Sequence, residues 1–274
     1  NMYSINYGDT YRGEIILDES SRPLIASFTS SDDFPTSANA YQSDLSGGQD
    51  AVVFRMNSLL TNLEACTMLG SSENDSGYGV RVTASGDIYL AGMAGASNFP
   101  LTAGSYQTDF MGGGDGWSGE ADGFVALLNS SCTTLEASTL LGTVMQDQIF
   151  FIDLDNDENV FVFGQGGVDI PIVGDVYSIL DSRQFITKFN HDLNEIMLST
   201  QIGAGGGDAG FTDFVPIAFL VDHCNNIYIS GHGASTWGGN ELPLTGDALY
   251  DGTNGEAFYL AVLSEDLEDL EFGT

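Results

Sequence analysis

Basic residues are scarce in this chain. It has only 6 Lys+Arg against 39 Asp+Glu, which gives a formal net charge of -33 at neutral pH. Lys188 is the single lysine. Nucleic acids and anionic membrane surfaces are recognised by basic patches, so neither is an expected partner. The charge suits a protein in a salty or calcium-containing medium, where cations screen the repulsion between carboxylates.

Long apolar runs and helical patterns are absent as well. No apolar stretch approaches the roughly 18 residues that a membrane-spanning helix needs. The spacing of apolar residues does not follow the period of an amphipathic helix, and 35 glycines disfavour helices further. We therefore expect a β protein with no helix longer than a turn or two.

The chain has only three cysteines, an odd number. Cys66, Cys132 and Cys224 fall at positions that the repeats described below do not bring together. We expect no disulfide within this segment, although a partner outside it stays open.

What the sequence does contain is one pattern repeated four times, clearest over residues 77–142. In this copy four apolar runs are separated by turn residues, and we name them A, B, C and D. The small polar or glycine residues between A and B, and between C and D, suit tight hairpins. The four runs are Tyr78–Thr83, Asp87–Gly92, Gly123–Asn129 and Leu135–Leu141.

The other copies repeat the landmarks of this one. Run D ends in a glycine each time, at Gly8, Gly70, Gly142 and Gly203. The long connection from B to C carries a proline at the same place in every copy, at Pro35, Pro100, Pro171 and Pro243. Run C recurs as Asp50–Asn57, Asp122–Asn129, Gln184–Asn190 and Ala257–Leu263.

The apolar pattern predicts how each run is buried. Runs B and C are apolar at consecutive positions, as in interior strands covered on both faces. Run D alternates, with Glu136 and Ser138 between Leu135, Ala137 and Thr139, which predicts an outer strand with one exposed face. Four-stranded meanders that stack face to face are the blades of a β-propeller.

The sequence thus predicts an all-β fold, a β-propeller region of four consecutive four-stranded meander blades. The region is one domain over residues 1–274, with copies at about 9–70, 71–142, 143–203 and 204–274. Residues 1–8 match the last run of a preceding copy, and the chain stops within a run D. We expect an arc of a larger ring of about six to eight blades, within a longer polypeptide.

The amino-acid sequence of the repeats resembles that of a known family. In the second copy the elements are GYGVRVTASGDIYLAG, NFPLTAGSYQ, DGFVALLN and LEASTLLG. They resemble the SBBP repeat, a β-propeller repeat of secreted bacterial proteins; the third copy departs from it by lacking the Y-Q and G-G-x-D elements. The resemblance implies an extracellular propeller, often within a large surface protein exported by the type IX route of gliding bacteria. It brings no catalytic residues.

The sharpest local motif is an acidic turn at residues 153–159. Asp153, Asp155 and Asp157 alternate around the third A to B hairpin, so their oxygens can point at one hard cation. The motif lacks the glycine and the distal acid of a full calcium loop, and a solvated acidic turn is the alternative. Calcium at these three residues is therefore a prediction for one blade.

Other candidate sites are weaker. Asp115, Glu120 and Asp122 stand in a glycine-rich B to C loop that either completes a second cation shell or is an ordinary loop. His223, Cys224 and His232 suggest zinc, but a hairpin places them at opposite ends of one strand. No nucleophile elbow or phosphate loop accompanies them.

The long loops carry the functional prediction. B to C connections are the longest in each copy, emerge on one face of a meander, and contain Trp117 and Trp237. Aromatic anchors on loops of a rigid scaffold are typical of binding surfaces. We expect an extracellular, non-enzymatic binding or adhesion segment whose partners are surface glycans or other proteins. A structural spacer, in which the proline segments merely cap the blades, and a glycan-active propeller enzyme are the alternatives.

Overall fold

The computed structural model describes residues 13–113, 120–205, 214–233, 242–250 and 258–274. These ranges contain sixteen β-strands and no helix. The strands form four antiparallel sheets of four, each in simple meander order. The all-β prediction is confirmed, and the arrangement of the sheets is propeller-like.

Each sheet takes its strands consecutively from the chain. The first sheet contains β1 (Glu14–Leu17), β2 (Pro23–Thr29), β3 (Asp50–Met56) and β4 (Leu63–Leu69); the second contains β5 (Ser76–Val82), β6 (Ile88–Ala94), β7 (Asp122–Leu128) and β8 (Leu135–Leu141). The third contains β9 (Gln148–Leu154), β10 (Val160–Gln165), β11 (Gln184–Phe189) and β12 (Ile196–Ile202); the fourth contains β13 (Phe214–Val221), β14 (Ile227–Gly233), β15 (Phe258–Leu263) and β16 (Leu270–Gly273).

The predicted runs match these strands to within a few residues. Strand β13 begins at Phe214 and passes Pro216 through a break in register. Proline cannot donate to the ladder, so it lies where the regular pairing is interrupted. Strands β6 and β7 are buried at every position, which confirms the prediction for runs B and C.

The prediction for run D is wrong over most of its length. In β8 the last five residues are buried, including Ser138 on the face expected to be exposed. The B to C connection folds back along this edge: the Ser138 hydroxyl donates to the Pro100 carbonyl at 2.9 Å, and the Gln107 amide donates to Thr139 Oγ1 at 3.0 Å. The loop therefore pairs the edge of the sheet, which a free outer strand would leave open.

Successive sheets pack face to face through three apolar cores. One core joins the first and second sheets around Leu90 and Phe124, and another joins the second and third around Tyr89 and Phe185. The third contains a group of rings between the third and fourth sheets, with Phe163 and Phe219 at 5.6 Å. Burial of a Phe side chain stabilises a fold by about 1.5–3 kcal/mol, so these junctions hold the arc together.

The first strands of the sheets, β1, β5, β9 and β13, lie next to one another along the chain of sheets. This arrangement places the A strands at the hub, as the meander order predicts.

Candidate functional site

The hub is linked by one chain of polar contacts that reaches all four sheets. Arg81 on β5 donates to Glu14 on β1 at 2.8 Å and to Asp153 on β9 at 2.9 Å. Glu14 also accepts the Val80 amide at 2.8 Å, and Asp153 accepts the Val221 amide of β13 at 2.9 Å. Asp153 is therefore a structural residue that joins three sheets.

The two other residues of the predicted calcium turn, Asp155 and Asp157, differ from Asp153 and from each other in their contacts and burial. Asp155 is buried and pairs with Lys188 at 2.8 Å, and it accepts the amides of Asp157 and Asn159 at 2.9 and 2.8 Å. Burial raises the pKa of Asp155, but the bonds from Lys188 and Asn159 outweigh this and leave it below its ordinary value. Asp157 is exposed.

The three aspartates do not belong to any group of converging metal ligands among the described residues. Within the acidic sequence, Asp155 caps its own loop by accepting the Asp157 and Asn159 amides. The hairpin that begins at Asp222 repeats it, because Asp222 Oδ1 accepts the amides of Cys224 and Asn226 at 2.8 and 2.9 Å. Calcium at Asp153, Asp155 and Asp157 stays a prediction, and binding would require Asp153 and Asp155 to share or exchange their cationic partners.

The B to C loops are held by a clamp that uses the repeated Y-Q and D-strand glycine elements. Gln107 donates to Asp122 at 3.4 Å and accepts the Gly142 amide at 3.1 Å. Asp122 also accepts the amides of Met111 and Gly112 at 2.8 and 2.9 Å. The first sheet repeats this arrangement with Gln42, Asp50 and Gly70.

The clamp explains why run D ends in glycine in these two copies. A Cβ on Gly142 would lie 2.3 Å from Asp122 Cγ, and one on Gly70 would lie 2.4 Å from Asp50 Cγ. Only glycine leaves room for the buried carboxylate. The third copy, which lacks the Y-Q and G-G-x-D elements, has Arg183 in place of the clamp aspartate. Asp122 is thus a buried clamp residue, whereas Asp115 lies outside the described residues.

A second buried aspartate lies beside each clamp, where the next sheet begins. Asp147 accepts the Thr143 amide at 2.6 Å and the Gly167 amide at 2.9 Å, and Asp75 does the same with Ser71 and Gly95. Burial raises the pKa of Asp147 to about 7, although the Thr143 and Gly167 amides oppose the shift. Burial likewise raises the pKa of Asp75 and of Asp122 to about 6.

A backbone clasp joins each sheet to the next at the rim. The amide of Tyr41 in the first sheet's B to C loop donates to the Cys132 carbonyl in the second sheet's C to D turn at 2.8 Å. The same bond runs from Tyr106 to Leu193 at 3.0 Å and from Tyr177 to Leu267 at 2.7 Å. All three acceptor residues are buried and have positive φ.

The corresponding positions at the two ends of the arc are exposed. Leu60 occupies the acceptor place in the first sheet, with φ of 58°, and is 63% exposed. Leu249 lies six residues after Pro243, as each tyrosine does after its proline, and is 76% exposed. Its amide donates to Thr274 Oγ1 of its own sheet at 2.9 Å, so the open half of the clasp is the acceptor turn at Leu60.

The cysteine and histidine predictions have mixed outcomes. The three cysteines are free, but Cys66 and Cys132 come closer than the repeats suggested: burial, and after it the nearby Cys132, raises the pKa of the Cys66 thiol. His232 pairs with Phe258 at the far end of β14 from Cys224, so the zinc set of His223, Cys224 and His232 does not form. Asp222, His223 and Cys224 do converge, however, a grouping that the sequence analysis missed because it paired histidines across the strand. Both tryptophans, Trp117 and Trp237, lie outside the described residues.

Comparison with known proteins gives no family for the chain. No family model matches the sequence, and no curated protein matches it either. Within the residues that the structure describes, no helix has the length and apolarity to cross a membrane.

Proposed function

We propose that the chain is an extracellular, non-enzymatic scaffold and binding segment of a larger surface protein. The observation that carries this proposal is the rim clasp, which repeats at all three junctions, together with the exposed acceptor turn at Leu60 in the first sheet. A repeated joint with an unfilled acceptor side belongs to an assembly that continues. The partners at these ends are further blades of the same kind in the rest of the polypeptide.

The outer faces of the end sheets support this continuation. Ile15 and Leu17 on β1 are 66% and 63% exposed, and Leu220 on β13 is 53% exposed. The corresponding inner faces are buried in the three junction cores. Apolar side chains on the open face of a sheet mark a surface that packs against another element.

Self-association of the isolated chain tests the open ends. We expect head-to-tail oligomers in sedimentation velocity, because the exposed apolar face of the fourth sheet in one copy can pack on that of the first sheet in another. Leu60→Asp places a charge at the free acceptor turn and shifts the distribution to monomer. Leu59→Asp, at the 78% exposed neighbour, is the matched control and leaves it unchanged. A monomer at every concentration, or equal effects of both changes, contradicts the proposal.

The binding part of the proposal rests on the loops. The clamp and the pairing along run D fix the stems of the B to C connections, which gives their remaining residues a rigid base. Trp117 and Trp237 belong to these connections. Surface glycans or other extracellular proteins are the proposed ligands, since aromatic side chains on fixed loops bind both sugars and protein surfaces.

A spacer is the second candidate, and one observation favours it. The proline segments do fold back onto the blades: Phe99 is buried and stacks 4.5 Å from Phe124, and the Ser138 amide donates to Thr102 Oγ1 at 2.9 Å. This part of the loops is structural. Whether the chain is a spacer or a binding protein therefore depends on what the remaining residues of each loop do.

A glycan and cell-surface binding screen separates the two candidates. We expect the intact chain to bind, and Trp117→Ala or Trp237→Ala to weaken binding about tenfold or more, as for aromatic anchors. Leu180→Ala, at a 66% exposed residue of a B to C loop without tryptophan, is the control. No binding by the intact chain, or binding unchanged by both tryptophan substitutions, leaves the spacer as the function.

A further inference from the structure

The hairpin between β13 and β14 brings three different metal-binding side chains together. One donor atom from each of Asp222, His223 and Cys224 lies within 4.8 Å of the other two. Cys224 Sγ and His223 Nε2 are 3.5 Å apart. This is the single group of three or more such ligands in the part of the chain that the structure describes.

The spacing matches the ligand shell of zinc. Zinc binds sulfur at about 2.3 Å and imidazole nitrogen at about 2.0 Å in tetrahedral geometry, so the two ligand atoms are about 3.6 Å apart when both bind. The observed 3.5 Å requires little rearrangement. Nitrogen and sulfur donors favour zinc and related transition metals, whereas calcium prefers oxygen alone.

The turn is fixed before any ion binds. Asp222 Oδ1 holds the Cys224 and Asn226 amides, and the Asn156 side chain of the third sheet donates to the His223 carbonyl at 3.1 Å. Asn156 also donates to Asn225 Oδ1 at 2.9 Å. Two hairpins therefore hold the backbone of the ligands, which lowers the entropy lost when a metal is bound.

The surroundings provide both charge and access. Asp222 supplies a carboxylate oxygen to the group. His223 and Cys224 are exposed. A groove of about 500 Å³ adjoins Cys224 and is lined by Asn226, Glu265 and Asp266 among others.

We propose that Asp222, His223 and Cys224 form a three-ligand zinc site at the mouth of this groove, with the remaining coordination position open to solvent. The site is particular to the fourth sheet. The equivalent turns have Asp155, Asn156 and Asp157 in the third sheet and Thr83, Ala84 and Ser85 in the second, with neither histidine nor cysteine. The proposal does not depend on the scaffold function above.

Cobalt(II) tests the site, because cobalt replaces zinc in such sites and a cobalt–thiolate bond has its own charge-transfer absorption. The purified chain, kept reduced, is titrated with cobalt and then with zinc. We expect the absorption to appear and to be removed by zinc. Cys66 and Cys132 are buried, whereas Cys224 is exposed, so Cys224 is the thiol that reports.

Variants decide the assignment. Cys224→Ser abolishes the absorption, and His223→Gln weakens cobalt binding about tenfold or more, as expected for loss of a ligand. His232→Gln, the matched control at the other end of β14, leaves the affinity unchanged. All three residues are exposed, and circular dichroism checks that each variant folds. No cobalt–thiolate absorption in the intact chain, an absorption that persists in Cys224→Ser, or equal effects of His223→Gln and His232→Gln overturns the proposal.

Discussion

Asp147 shows how a single buried residue makes the fold sensitive to pH. Its carboxylate accepts two backbone amides and lies near Asp122, with no cationic side chain among the groups that shift its pKa. The Thr143 hydroxyl contacts both oxygens, at 3.2 and 3.0 Å, and can rotate to accept a carboxyl proton. The residue can therefore be held in either protonation state.

Stability should fall as pH rises from 5 to 8. The pKa of Asp147 is about 7 in the folded chain against 3.8 for an ordinary aspartate, so the folded state binds more protons in between. The stabilising contribution is full below pH 4 and is lost as pH rises through about 7. We expect the free energy of unfolding in urea to be about 2 kcal/mol higher at pH 5 than at pH 8 from this residue.

A variant isolates the contribution of this residue. Asp147→Asn should reduce the pH dependence, whereas Asp157→Asn changes the same charge at an exposed position and should leave it intact. Stability that is flat or increases from pH 5 to pH 8 would show that the buried carboxylate is ionised throughout.

At the scale of the strands, the hub depends on Arg81. Its side chain is 20% exposed and pairs with both Glu14 and Asp153. Arg81→Met leaves two partly buried carboxylates without their cation, which should lower the free energy of unfolding by about 3 kcal/mol. Arg22→Met removes the ion pairs of a 33% exposed arginine with Asp18 and Glu64 and should cost about 1 kcal/mol or less. Urea denaturation of both variants makes the comparison, and equal losses would mean that the hub chain is only a surface network.

The strands were largely predictable from sequence, but their polar partners were not. The continuous apolar runs of β6 and β7, the alternation in β8 and the hairpin turns between them predicted these strands because such signals are local. The burial of β8 depends on Gln107 and Pro100, which lie about 30 residues away along the chain and pair with its edge only in the fold. The sequence likewise showed the spacing of Asp153 and Asp155, whereas their partners Arg81 and Lys188 come from other strands.

At the scale of the whole molecule, the net charge of -33 means that cations should affect the stability of the fold. Salt of any kind screens exposed carboxylates, whereas a bound ion stabilises the folded state by mass action. The calcium prediction requires the second effect. We expect millimolar calcium to raise the melting temperature above that in sodium chloride of equal ionic strength.

Substitution at the acidic turn makes this prediction specific. Asp157→Asn should remove the calcium effect, while Asp192→Asn, at an exposed residue of another turn, should not. Equal melting temperatures in calcium and in chelator would remove the calcium site and leave the turn with its structural role alone.

The rim clasp has a consequence for how such a molecule changes over evolutionary time. The bond joins a backbone amide to a backbone carbonyl, and the acceptor is Cys132 at one junction and leucine at the other two. The joint therefore tolerates changes of side chain at the acceptor. Blades joined in this way can be duplicated, lost or reordered as interchangeable units, while each one diverges in its own turns and loops.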